Sequence, residues 1–343
     1  MIKGSRLLLS LLLSMVIPMA AQAQTNHLQE TLQAQKEKLE QLHMDAREHL
    51  NESLDRKERI LLSRVDANYI GLLPRSWRVS VRYGASHFRG RMITDDATVR
   101  LQTKFTSRVA VGVGYRGLNL SYNFGLNSKY NTEFNLGAFW NRMGIEIKIH
   151  GSDHLDVSSP ASGSYAFLNT GEPAELLSIL VDGYYAFNHR RFSYPAILSQ
   201  SNIQKKSAGS ILAAAGLSIM GFGLLEARDG LPSRWAESRF SLGCGYGYNW
   251  SIQEGRCLLH ASAIPMVNLL DRGFTKIEGS SLEVTTSTRL SLISVVRLGF
   301  IYNWTDRLYM SLLMTNNPIF KNQSDRYILN NSFFGQISIT VRL

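Results

Sequence analysis

Cysteine and long apolar runs are scarce in this chain, and each scarcity excludes a class of protein. Two cysteines in 343 residues exclude a secreted domain built on disulfides. Behind the N-terminus, the best candidate for a membrane helix is residues 211–225, which are too short and contain three glycines, whereas a spanning helix needs roughly 20 residues. If the chain lies in a membrane, it must therefore cross it as a closed β-sheet.

The one clear apolar run lies at the N-terminus and has the layout of an export signal. Lys3 and Arg6 precede the apolar residues 7–20, and residues 21–23 (Ala-Gln-Ala) match a signal-peptidase site. We therefore predict a cleaved signal peptide over residues 1–23. Without it, 35 basic and 27 acidic side chains remain, a net charge of +8, which suits anionic lipid or polysaccharide. Nucleic acid is not an expected partner of an exported chain.

Residues 24–68 have a different composition, with 16 charged residues and no glycine, proline or cysteine. Leu32, Leu39, Ala46 and Ile60 lie on a seven-residue repeat that gives a helical period with a weak apolar seam. We predict a solvated periplasmic helix. The alternatives are disorder or a coiled-coil helix that docks on periplasmic or envelope proteins.

From Trp77 onward the period changes to two. Between Phe240 and Trp250, for example, apolar residues alternate with Ser, Gly and Asn. One apolar, aromatic face and one polar face are typical of strands with lipid outside and a polar lumen inside. A soluble β-sandwich also alternates, but its outer face is rarely the aromatic one. The prediction is an all-β fold, an antiparallel transmembrane β-barrel over residues 69–343 that ends on an alternating strand. Outer-membrane lipid is its expected partner, and the outer membrane of a Gram-negative bacterium its expected location.

The strand number follows from parity, because single-chain bacterial barrels have even counts. A turn at Arg116 and Gly117 would give 13 strands, whereas a β-bulge at Gly117 within one long strand gives about 12. We predict the bulge, which places both barrel ends in the periplasm. Short connections at Asn141, 251–256 and 305–306 then share the periplasmic side, and longer ones at 151–173, 223–235, 271–283 and 317–331 lie outside. An aromatic girdle is expected on the periplasmic rim, formed by Trp77, Trp140, Trp250 and Trp304.

If the aromatic face meets lipid, the opposite face lines the lumen. Its predicted acids are Glu133, Glu146 and Glu237, and basic residues outnumber them, so an open lumen should prefer anions. A closed interior, in which these cations bind loop carbonyls or a plug, is the alternative. The predicted lumen-lining basic residues are Arg78, Arg82, Arg100, Lys104, Lys148, Arg239, Arg289, Arg297 and Arg342.

Three short sequence patterns resemble functional motifs. Gly112, Gly114 and Gly117 match the spacing of a dinucleotide fingerprint, but a strand follows instead of the required helix. A cluster from His150 to His154 could supply metal ligands or a Ser/His pair, although no other residue completes a triad. Cys244 and Cys257 would pair only in a shifted hairpin register, so two free cysteines are expected. We expect no catalytic residue, metal or cofactor in a pore or envelope component. The alternative is a lipid hydrolase or acyl-transfer enzyme that uses the histidine cluster.

The connection over residues 184–210 is unusually long, and its basic residues have no acidic neighbour in the segment. It is either an ordinary basic turn or a packed element that plugs the lumen. Its pieces YYAFN, RRFSYPA and QKKSAGS, supported by residues 66–70 and 112–118, resemble the Bacteroides-type outer-membrane family known as domain of unknown function 4421. The resemblance covers about residue 66 to the end; it implies an outer-membrane location and supplies no established activity or site. Its signature residues are Tyr185, Phe187, Asn188, Phe192, Ser193, Tyr194, Pro195, Gln204, Lys205, Lys206, Ser207, Gly209 and Ser210.

Overall fold

A computed structural model describes most of the chain behind the helical segment. The described ranges are 65–73, 77–93, 98–102, 106–126, 131–152, 156–158, 174–224, 232–277, 283–287, 290–323 and 326–343, together with positions between 36 and 56. The predicted signal peptide lies outside the described residues. The chain divides into two compact units, Met1–Ser63 and Arg64–Leu343.

The first unit is helical at its described positions, as the heptad spacing predicts, and Leu39 and Leu42 are exposed. No helix among the described residues is long and apolar enough to cross a membrane. The helical prediction over 24–68 extends too far, because residues 67–69 form a turn of the second unit. In that turn, the Asn68 amide donates to the Asp66 carboxylate, a local bond that favours a turn over a helix.

The described part of the second unit consists of strands and one short helix. The first elements are β1 (Ile70–Leu72), β2 (Trp77–Ile93), β3 (Thr98–Gln102), β4 (Thr106–Tyr115), β5 (Leu118–Gly125), β6 (Thr132–Phe139), β7 (Met143–Ser152), β8 (Asp156–Ser158) and β9 (Ala174–Ala186). The remaining elements are α1 (Pro195–Leu198), β10 (Asn202–Gln204), β11 (Ala208–Leu224), β12 (Pro232–Ile252), β13 (Cys257–Ile277), β14 (Glu283–Ser287), β15 (Leu290–Asn303), β16 (Leu308–Gln323) and β17 (Arg326–Arg342).

Twelve strands form a closed antiparallel barrel, which confirms the predicted fold class. The ring runs β2-β4-β5-β6-β7-β9-β11-β12-β13-β15-β16-β17, and β17 pairs with β2 from Arg342↔Arg78 to Asn331↔Arg89. Within the described residues, each of these twelve strands therefore has a neighbour on both sides.

The route to this count differs from the prediction at Gly117, where the expected bulge is wrong. Arg116 adopts φ 51° and forms a two-residue turn with Gly117, so that Tyr115 pairs with Leu118 across a hairpin. The count stays at 12 because β3 and β4 both pair with β2 and act as one interrupted strand. A turn and a bulge both move the apolar residues from odd-numbered to even-numbered positions. The alternation alone therefore cannot distinguish a turn from a bulge.

The apolar face of the barrel points outward, as predicted. Val81 and Ile339 are 57% and 54% exposed, whereas their neighbours Ser80 and Thr340 are 5% and 2% exposed. Such a barrel satisfies its backbone internally and offers an apolar surface to lipid. The inward face is lined mainly by serine, asparagine and charged side chains.

The two ends of the barrel differ in their connections. The turn end carries the short connections 116–117, 140–142, 253–256 and 304–307, together with the segment 187–207, and the loop end lies opposite. Three predicted outer loops are shorter than expected, because β12 begins at Pro232, β13 continues to Ile277, and β16 and β17 leave only residues 324–325 between them. Where both faces of a strand are polar, its backbone pairing continues, but the sequence no longer shows the apolar alternation from which a strand is predicted.

Aromatic pairs mark the rim at the turn end, where the predicted tryptophan girdle lies. Trp77 stacks on Tyr115 with ring centroids 4.8 Å apart, and Trp250 lies 4.9 Å from Tyr248. Trp140 and Trp304 also follow strands that end here. Amphipathic rings of this kind favour the membrane interface.

Candidate functional site: the barrel interior and its plug

Residues 187–207, named here the plug segment, connect β9 to β11 and fold into the lumen. The side chains of Phe192, Tyr194 and Ile197 are completely buried, at 0% exposure. The segment contains α1 and β10, and β10 pairs with β1 through Ile70↔Gln204. Of the two predicted alternatives, the packed plug is the one that this geometry supports.

Local sequence explains the shape of the plug segment. Phe192 N–H donates to the Asn188 carbonyl at 2.9 Å, which closes the first turn. Pro195 stands at the start of α1, where its fixed φ suits a helix and no N–H is needed. Gln200 has φ 50°, which ends the helical turn and directs the chain into β10.

A buried hydrogen-bond network joins the plug segment to β12. Gln204 Oε1 accepts from Ser193 N–H at 2.8 Å and from Asn249 Nδ2 at 3.0 Å. Asn249 Nδ2 also donates to the Ser193 carbonyl at 2.9 Å, while Asn249 Oδ1 lies 2.7 Å from His260 Nδ1. Buried polar groups that are satisfied in this way hold one conformation, because each broken bond leaves an unpaired group.

A second contact joins the plug segment to β13 and β15. Arg297 Nη1 donates to the Tyr194 hydroxyl at 2.7 Å, and this hydroxyl lies 3.3 Å from Ser262 Oγ. The Tyr194 ring also packs edge-on against Tyr184, with centroids 4.7 Å apart. Apolar side chains complete the contact, and the buried cluster that contains Phe192 and Tyr194 reaches Phe139 on β6 and Tyr309 on β16.

Ion pairs fill further parts of the interior. Arg108 binds Glu133 at 2.6 Å, and Lys148 binds Glu146 at 2.9 Å. Arg239 contacts Glu237 at 2.5 Å and Asp271 at 3.8 Å. The desolvation free energy of burying these charged side chains is offset because each one is paired with an opposite charge.

A small cavity of about 20 Å³ lies beside α1, lined by Leu198, Glu146, Asp182 and Arg297 among others. This volume suits about one water molecule. Glu146 and Asp182 are cross-strand partners. The polar side chains that line it are the Glu146 and Asp182 carboxylates, the Arg297 guanidinium and Tyr184, an arrangement for binding or charge balance.

The family model for the domain of unknown function (DUF4421) matches residues 64–342. The chain belongs to this family. Among solved structures, it is similar to the toluene transporter TodX of Pseudomonas putida, at 8% identity over 79% of this chain and 91% of that chain, with a TM-score of 0.31. It is also similar to the translocator domain of the autotransporter NalP from Neisseria meningitidis, at 10% identity over 87% and 98%, with a TM-score of 0.33. No curated protein matches.

In this DUF4421 chain, the residues that carry the family resemblance occupy two places. Phe192, Ser193, Tyr194, Pro195 and Gln204 are buried in the plug segment. The others lie at its rim and connections: Tyr185 and Phe187 pack edge-on, Lys205 and Lys206 are exposed, Ser207 Oγ accepts from Ser251 N–H, and Asn188 donates to the Gly209 carbonyl and to Ser210 Oγ.

The predicted lumen-lining cations of the DUF4421 barrel fall into two groups. Arg78, Arg82, Lys148, Arg239, Arg297 and Arg342 belong to the inward set. The side chains of Arg100, Lys104 and Arg289 lie outside the described residues. The sequence reasoning missed Arg108, Asp182 and Asp271. Asp182 stands within an apolar run of β9, and Asp271 falls in a predicted outer loop, so the alternating pattern indicates a lumen-facing carboxylate at neither position.

The histidine cluster is only partly described. His150 Nε2 lies 3.1 Å from Asn131 Oδ1, and Asp153 and His154 lie outside the described residues. Among those described, no group of three histidine, cysteine or carboxylate side chains could hold a metal ion. Cys257 pairs in register with Ile252, and Cys244 and Cys257 are both free.

Proposed function

We propose that this chain is a non-enzymatic outer-membrane barrel, closed at rest by its own plug segment, that serves as a gated pore or envelope component rather than an open diffusion channel. The observation that carries this proposal is Tyr194, which lies completely buried in the lumen and accepts a hydrogen bond from Arg297 of the barrel wall. Short turns face the periplasm in bacterial barrels, so the plug segment closes the periplasmic end.

Planar-bilayer recordings test this closure. We expect no steady conductance from the full chain, and steady conductance from the double variant Tyr194→Ala with Ile197→Ala. Truncating each of these buried side chains costs about 2–5 kcal/mol. We expect this loss to weaken the packing of the plug segment against the barrel wall. Tyr122→Ala is the matched control, because Tyr122 is an exposed tyrosine on the outer face.

Steady conductance from the unmodified chain would contradict the closed state. The enzymatic alternative is tested separately with a lipid-hydrolysis assay on the full chain and on His150→Ala. Hydrolysis that the full chain performs and the variant loses would favour the enzyme.

A further inference from the structure

Two arginines face each other inside the barrel at the turn end. Arg78 of β2 and Arg342 of β17 are direct cross-strand partners, and both are buried, at 4% and 6% exposure. Like charges directly opposite one another destabilise a strand pair. Arg82 follows on the same face of β2, so three guanidinium groups share this part of the wall.

These three arginines differ from the other interior cations in their partners. Arg78 donates to Asn119 Oδ1 at 3.2 Å, and Arg82 donates to the Ser80 and Ser121 hydroxyls. Arg342 donates to the Asp306 carbonyl and to Asn303 Oδ1 and lies over the Tyr309 ring at 4.2 Å. Within the described part of the chain, no carboxylate lies within ion-pair distance of any of them. Arginine cannot lose its proton in a protein, so the charge remains.

Strand β4, which pairs with β2, has glycines at the two positions where the guanidinium groups of Arg78 and Arg82 lie. A Cβ on Gly112 would lie 2.9 Å from Arg82 Nη2, and a Cβ on Gly114 would lie 2.8 Å from Arg78 Nη2. Both groups therefore rest on bare backbone. Because Gly112 and Gly114 are two residues apart on one face, the two supports are separated by about 7 Å.

Two buried hydroxyl groups lie nearby and face each other. Tyr309 and Thr340 are cross-strand neighbours, 0% and 2% exposed, and within the described structure each hydroxyl has only the other as a hydrogen-bonding neighbour. Thr340 is also the cross-strand partner of Ser80, which lies between Arg78 and Arg82 on the same face of β2. Two hydroxyls that bond only each other leave one O–H without an acceptor, so a ligand oxygen that accepts from it is favoured.

We propose that Arg78 and Arg82, with the hydroxyls of Tyr309 and Thr340, form a binding site for a phosphate group within the periplasmic end of the barrel. Each guanidinium group keeps N–H donors that these wall contacts do not use, and the oxygens of a phosphate can accept them. The doubly charged form compensates both guanidinium groups, whereas a carboxylate compensates only one. The ligand is either free phosphate or the headgroup of a phospholipid, and the site goes beyond the closed lumen proposed above.

Equilibrium dialysis with radiolabelled inorganic phosphate tests the site on the full chain in detergent, at constant ionic strength set by chloride. We expect saturable binding, weakened about tenfold or more by Arg78→Gln or Arg82→Gln, because a charged hydrogen bond contributes about 1.5–3 kcal/mol. Arg82→Lys should bind with intermediate affinity, since it keeps the charge and loses the fork. Arg307→Gln, which removes an exposed arginine of the same barrel end, should bind like the unmodified chain.

Heat-modifiable migration on gels verifies that each variant is folded before dialysis. Absence of saturable binding, displacement by an equal concentration of chloride, or unchanged binding in both glutamine variants would overturn the site. Short-chain phosphatidic acid forms a second arm: tighter binding than inorganic phosphate assigns the group to a lipid, and weaker binding assigns it to a soluble ligand. Dialysis does not depend on conductance, so this proposal and the closed lumen can fail independently.

Discussion

At the scale of single residues, inward glycines make room for larger interior groups. Gly137 leaves space for the Phe139 ring, and Gly144 leaves space for Tyr184, since a Cβ on either would lie within 2.5 Å of an atom of that ring. Gly299 does the same for the plug segment. From the alternating pattern, these positions can be predicted only to be small or polar. Their role in the structure is to leave space for a neighbouring side chain.

Gly299→Ala should loosen the plug segment without unfolding the barrel. The new Cβ would lie 2.4 Å from Ile197 Cδ1, and overpacking of this kind costs about 1–3 kcal/mol. We expect intermittent conductance in planar bilayers. Gly183→Ala is the matched control, because its Cβ would find no atom closer than 3.7 Å. Equal behaviour of the two variants would show that Ile197 is not held by this wall.

At the scale of elements, the two-stranded sheet β1-β10 ties the start of the second unit to the plug segment. Lys205 N–H donates to the Tyr69 carbonyl at 2.7 Å, and Arg191 lies over the Tyr69 ring at 4.9 Å. Ile70 is 1% exposed. The residues before β2 therefore stabilise the plug segment at the turn end of the barrel.

A pair of deletions separates this contribution from that of the helical segment. Removal of residues 24–63 should leave a barrel that inserts and stays closed, because the second unit begins at Arg64. Removal of residues 24–73 also takes away β1 and should give steady conductance, since β10 then loses its strand partner. Closed channels after the longer deletion would show that the sheet does not hold the plug segment.

The sequence predicts the barrel far better than the plug. Lipid imposes alternation over many residues, so the strands from Trp77 onward, their outward face and the closed fold follow from the pattern. The plug segment depends on contacts that no local period records. Gln204, for example, accepts from Ser193 and Asn249, and β1 and β10 have three residues each. Length and aromatic content could suggest a packed element, but not its partners.

At the scale of the whole molecule, the residue types on the outer surface of the barrel change along its axis. The apolar side chains of the wall end at the turn end in aromatic pairs, and arginines lie over three of these rings: Arg116 over Tyr115, Arg142 over Tyr185 and Arg256 over Tyr302. Aromatic rings and cations at a membrane boundary anchor a barrel in depth. The plug segment, the rim and the proposed phosphate site therefore share one end of the barrel.

The interior charge determines what an opened barrel should conduct. Arg108, Lys148 and Arg239 are neutralised by carboxylates, so they contribute less to the lumen potential than a count of basic residues suggests. Arg78 and Arg82 have no carboxylate partner within the described residues, and they lie at the plugged end. A path opened there passes these two charges, and cationic rings in a low-dielectric wall favour anions.

The double variant Tyr194→Ala with Ile197→Ala should therefore conduct with anion preference. Reversal potentials in a salt gradient measure this directly, with potassium chloride as the permeant salt. Adding Arg78→Gln and Arg82→Gln to the opened variant should shift the reversal potential toward zero, because the unpaired charges are gone. Adding Arg307→Gln, an exposed arginine of the same end, should shift it less. Cation preference in the opened variant would refute the inward assignment of these arginines, and an unchanged potential after their removal would place the selective charges elsewhere.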